Sequence, residues 1–140
     1  MQLPEPIRER LQAEFRFAAE RMAAVPDLVG KLYFFSALFG EVNRSMNQHW
    51  DAELALLHLV LVSAHREVFG RISQASPVSG DVPPELPDAL TQGAADLARL
   101  FESPKQDIAQ LHEVLARVAE VAYTATGNGY YLYVKGAVKL

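Results

Sequence analysis

No cysteine occurs among the 140 residues. This excludes disulfides, thiolate-bound metals, iron–sulfur clusters and a cysteine nucleophile. Charge is scarce as well: 21% of residues are charged and the formal net charge is −4. Thirteen basic residues spread along such a chain do not supply the dense positive field that coats nucleic acid without specificity. Long apolar runs are missing too. The longest, Leu54 to Val62, is broken by His58 and falls far short of the ~20 residues that span a bilayer, so no membrane partner is expected. The opening MQLPEPIRERLQ carries charges where a secretion signal needs an apolar core. A cytoplasmic location is the expectation. Glycine and proline number eight each, and half of the prolines crowd into one stretch at about 75–87.

Half of the residues are hydrophobic, enough for one domain over 1–140 to bury a sizeable core without a staple. Their spacing is helical on five segments. In the first, about Pro4 to Val25, the apolar positions Ile7, Leu11, Phe15, Ala18 and Met22 step by three or four, which makes one stripe. Arg10 with Glu14, and Arg16 with Glu20, lie four apart on what reads as a solvated face. Asp27 is placed to cap the second segment, Leu28 to about Asn47. That segment is apolar over a wide arc, with Leu32, Phe35, Phe39, Val42 and Met46 flanked by Val29, Tyr33, Phe34 and Leu38. Gly40 within it suggests a close helix contact. The third segment, capped by Asp51 and running to about Ile72, carries the stripe Leu54, Leu57, Leu61, Ala64 and Val68.

Beyond the Pro-rich loop, a fourth helix is expected over Asp88 to Glu102. Ser103-Pro104-Lys105-Gln106 then has the form of a capping box opening a fifth helix, which runs to about Thr126 before Gly127-Asn128-Gly129. The C-terminal arm, about 127–140, is rich in Tyr and β-branched residues and reads equally as strand, helix or an arm against a second subunit. The fold expected is therefore all-α, a four- to five-helix, mostly antiparallel bundle. The excess apolar surface of its second segment predicts a homodimer, with that segment and the arm as candidate interface.

Four histidines are the natural starting point for chemistry. His58 and His65 sit two turns apart, ~10 Å along the axis, which is too far for one metal ion. The spacings His-x-x-x-His and Glu-x-x-His do not occur, so no metal and no other cofactor is expected. Asp51, His58 and His65 recur at intervals of seven and draw a polar line beside the apolar stripe. A ligand pocket between helices would use Tyr33, His58, His65 and Phe69.

A second constellation is Arg44-Ser-Met-Asn-Gln-His49, where a histidine could move a proton and an arginine hold a phosphate. With this motif and the aromatic-rich helix LYFFSALFGEVNR, the chain resembles the HEPN superfamily of small all-α proteins over about Leu28 to Thr126. Members of that superfamily often carry Arg, four to six residues, then His. The resemblance implies an RNA-directed nuclease using Arg44 and His49 across a dimer. The residues themselves offer no convergent catalytic set beyond this pair. The principal expectation is accordingly a non-enzymatic helical protein that acts as a homodimer, by contact with a protein partner or by binding a small ligand. The nuclease, with RNA as partner, is the alternative.

Overall fold

The computed structural model describes residues 1–73 and 85–126. Among these residues five helices follow in order: α1 Glu5–Ala24, α2 Leu28–Gln48, α3 Ala52–Ser73, α4 Leu86–Leu100 and α5 Ile108–Thr126. The C-terminal arm lies outside the described residues, as does the Pro-rich loop up to residue 84. The all-α bundle expected from periodicity is what the chain forms. Among the described residues the one extended pairing is an isolated antiparallel bridge between Gln2 and Lys105.

Local chemistry explains most boundaries. Asp27 caps α2, its side chain accepting from the Gly30 N–H at 2.9 Å. Asp51 does the same for α3, accepting from the amides of Glu53 at 2.8 Å and Leu54 at 3.3 Å. Each satisfies a helix-start amide that has no partner within the helix. Helix α4 begins two residues earlier than expected, with Pro87 in its first turn, where a missing N–H does no harm.

The start of α5 corrects the sequence reading. Ser103 does not cap it and Gln106 closes no capping box. The cap is Asp107, whose carboxylate accepts from the Gln110 amide at 3.1 Å. Gln106 is buried and turned elsewhere: its amide side chain donates back to the Ser103 carbonyl at 2.6 Å. Its backbone N–H donates to the Met1 carbonyl at 3.1 Å. A long-range tie to the N-terminal residues overrides the local signal, and 104–106 is held outside the helix.

Packing is cyclic. Helix α1 lies between α2 and α4, α3 between α2 and α5, and α5 against α4. Sequential neighbours are antiparallel, as the pairings Phe17–Phe34 across α1 and α2 and Phe35–His65 across α2 and α3 show. Helices α3 and α5 run side by side in the same direction, since Glu53 near the start of one meets His112 near the start of the other at 2.6 Å. One contiguous core fills the middle, with Phe15, Phe35, Phe101, Leu11, Leu57 and Leu97 fully buried.

Two buried cations tie helix ends together. Lys31 of α2 donates to the Met22 carbonyl near the end of α1 at 2.6 Å. Arg8 of α1 donates to the Phe101 carbonyl at 2.6 Å and the Glu102 carbonyl at 3.3 Å, beyond the last turn of α4. Both satisfy C-terminal carbonyls that a helix leaves unpaired. Arg8 also donates from Nε to Glu5 at 3.1 Å, and this hydrogen bond holds the Glu5 carboxyl below its ordinary pKa.

The close helix contact expected at Gly40 forms at Gly93 instead. A side-chain carbon at Gly40 would meet nothing within 4 Å, so no close helix contact forms there. One at Gly93 would stand 2.9 Å from Val118 Cγ2, so the close approach is between α4 and α5.

Candidate functional site

Three of the four candidate pocket residues come together on one flank. His65 projects from α3 between two nearly parallel rings: Phe35 at 6.4 Å between centroids and 14°, and Phe69 at 5.9 Å and 7°. Phe39 of α2 meets it edge-on at 5.3 Å and also reaches His58 at 6.4 Å. The heptad spacing of His58 and His65 places both imidazoles on the side of α3 that faces α2, where Phe39 joins them. Such imidazole–aromatic packing fills the seam, and both histidines are half-buried in it. Tyr33 is not part of it. It lies two residues before Phe35, about 200° round the helix, and packs against Phe34 at 5.2 Å with 73% of its surface exposed.

Burial lowers the pKa of His65, because the low-dielectric seam disfavours the imidazolium; the Leu32 backbone works the other way, by hydrogen bonding. A histidine whose folded pKa is depressed stabilises the fold fully above its unfolded pKa of 6.5, and that contribution fades as pH falls below it. Chemical denaturation at pH ~7.5 and ~5.5 is expected to show lower stability at the acidic value. The drop should be smaller in His65→Phe; an unchanged pH dependence in that variant would refute the assignment.

The other flank of α2, against α1, carries Tyr33, Phe34 and Val29 beside Phe17 of α1. Phe17 and Phe34 meet edge to face at 6.2 Å, and the Arg21 guanidinium lies 5.3 Å above the Phe17 ring. Phe17, Val29 and Tyr33 are all exposed. Further along this seam, Glu41 is buried between two arginines: Arg10 Nε at 3.6 Å and Arg44 at 3.4 Å. Arg10 also donates to Gln48. The Arg10–Glu14 pair expected on a solvated face is therefore replaced by a cross-helix tie, whereas Arg16 and Glu20 pair as expected at 3.2 Å.

Arg44 and His49 occupy the end of α2. Arg44 is exposed and directed back along the helix to Glu41. His49 is the half-buried C-cap residue, its backbone N–H donating to the Ser45 carbonyl at 2.8 Å. Among the described residues no polar contact joins the two. The sequence reading missed the pairing of His112 with Glu53, whose 59-residue separation leaves no periodic trace.

Among the described residues no helix is long and apolar enough to cross a membrane, and no three potential ligands gather for a metal ion. Comparison with family models, with curated proteins and with solved structures finds no match to this chain.

Proposed function

We propose that the protein is a non-enzymatic helical interaction module that pairs with a second copy of itself through the α1–α2 seam. One observation carries the reading. Glu14, Phe17 and Arg21 lie on one stripe of α1, three and four residues apart, with an exposed aromatic at the centre and opposite charges on either side. A two-fold axis through Phe17 with the α1 helices antiparallel sets Glu14 of each copy opposite Arg21 of the other. An isologous interface requires this self-complementarity. Around that stripe Tyr33 and Val29 supply the exposed apolar surface, and the arginines held by Glu41 supply a polar rim. Aromatic and Arg enrichment over a charge-poor centre is how interfaces differ from ordinary surface.

Sedimentation at micromolar concentration is expected to give a dimer. Glu14→Arg or Arg21→Glu alone sets like charges together at two places and should weaken pairing by about tenfold or more. The double swap restores the complementary pairs and should recover the dimer. A wild-type monomer at ~50 μM, a concentration at which a micromolar interface would be mostly formed, would overturn the pairing. RNA cleavage abolished by both Arg44→Ala and His49→Ala would overturn the non-enzymatic assignment.

A further inference from the structure

The solvent side of α3 differs from that of α1 and α5. Exposed positions carry Glu9, Arg16 and Glu20 on α1, and Gln110, Glu113 and Arg117 on α5, as a solvated helix face should. On α3 the outward line is Ala55, Leu59, Val62, Arg66 and Phe69, with Arg66 as its single charge. Steps of four and three keep these residues on one stripe. It lies roughly 130° round the helix from the core stripe of Leu54, Leu57, Leu61, Ala64 and Val68. Leu59 and Phe69 expose 48% and 49% of their surface, so apolar area is presented over about 15 Å of helix.

Helix α5 ends beside one end of this stripe. The Glu53–His112 contact fixes the register of the two same-direction helices. Fourteen residues further along each, Thr126 comes level with Glu67, next to Phe69. The sequence then continues for fourteen residues, with Tyr130, Tyr131, Leu132, Tyr133 and Val134 following Gly127-Asn128-Gly129. That triplet tolerates positive φ and so permits a reversal toward α3. The eleven residues after it span ~16 Å as helix and up to ~36 Å when extended. Either reach covers Leu59 to Phe69. Charge agrees with this course. The arm carries Lys135 and Lys139 and no acidic side chain. Glu67 lies on the same side of α3 as Glu53, and Glu120 lies about two turns beyond His112 on α5. Carboxylates therefore border the stripe on its α5 side.

We propose that residues 127–140 dock in cis as a strap along the outer stripe of α3. Tyrosine and apolar side chains of the arm cover Leu59, Val62 and Phe69, and its lysines face Glu67 and Glu120. A short turn brings the arm there, so closure costs little chain entropy, whereas docking on a second copy also costs translational and rotational freedom. The α1–α2 seam does not include α3, so docking of the arm and pairing of two copies are independent.

The test uses the full chain. Because the sequence has no cysteine, Gly136→Cys accepts a single nitroxide label on the arm. Paramagnetic broadening of amides is expected along Leu59 to Phe69 and in the second half of α5, and not in α1. Mixing this chain with isotope-labelled chain that lacks the nitroxide should leave the α3 amides of the latter sharp, which separates docking in cis from docking on a second copy. Leu59→Glu combined with Phe69→Glu should abolish the broadening while helical circular dichroism is retained. The same double variant should speed chymotryptic cleavage at the arm tyrosines by about tenfold or more. Trp50→Glu makes an equal change at an exposed aromatic outside the stripe and should alter neither readout. Absence of broadening on α3, broadening of α3 in the mixed sample, or cleavage unchanged by the double variant overturns the proposal.

Discussion

Phe101→Ala is expected to lower the free energy of unfolding by about 3–5 kcal/mol. The ring is fully buried just beyond the last turn of α4 and meets Phe15 of α1 edge to face, at 5.1 Å and 88°. Truncation removes its transfer free energy and leaves a cavity where α1, α4 and the turn converge. The site has little room to relax, because the Phe101 carbonyl is pinned by Arg8. Urea unfolding measures the loss. The edge-to-face term, about 0.5–1.5 kcal/mol beyond area burial, emerges from a double-mutant cycle with Phe15→Ala. Trp50→Ala offers the contrast. Trp50 is 70% exposed, and its removal should shift stability by no more than about 0.5 kcal/mol. Equal losses at the two positions would refute this account of the core.

Gly93→Leu should destabilise by about 1–3 kcal/mol, although leucine forms helix better than glycine by nearly 1 kcal/mol. A first side-chain carbon at Gly93 already stands 2.9 Å from Val118 Cγ2, and three further carbons must force α4 from α5. Gly40→Ala meets nothing within 4 Å and should stabilise by up to about 1 kcal/mol. The two substitutions therefore have opposite signs, which thermal unfolding distinguishes directly. Combining Gly93→Leu with Val118→Ala restores space and should recover part of the loss.

The pair of glycines also marks how far the sequence could be read. Periodicity of three and four residues was sufficient for five helices, because an apolar stripe is written within each segment. The caps at Asp27 and Asp51 were legible for the same reason, since a cap and its amides lie within three residues. Gln106 was misread because its decisive partner, Met1, lies 105 positions away. Gly40 and Gly93 look alike in sequence; which of them meets a neighbour depends on the rotation of α2 and α4 in the bundle. His58, His65 and Phe69 could be grouped from one helix. Tyr33 was added from another, and the orientation of α2 carried it to the opposite flank. The face of α1 that bears Arg10 and Glu14 was read as solvated because the two satisfy the intrahelical spacing, yet Arg10 turns to Glu41 on the next helix.

The side-by-side, same-direction arrangement of α3 and α5 bears on how the chain acquires its shape. Helices α1 to α3 can wind as a local meander, and α4 with α5 as a separate hairpin, each through contacts between consecutive helices. Two long-range seams then join the pieces, α1 to α4 along Phe15 and Phe101, and α3 to α5 along Glu53 and His112. Closure entropy must be paid before either seam returns any contact energy. Docking of the hairpin onto the meander is therefore the step expected to set the folding rate, and high φ-values for substitutions at Phe15, Phe101 and Glu53 would check it.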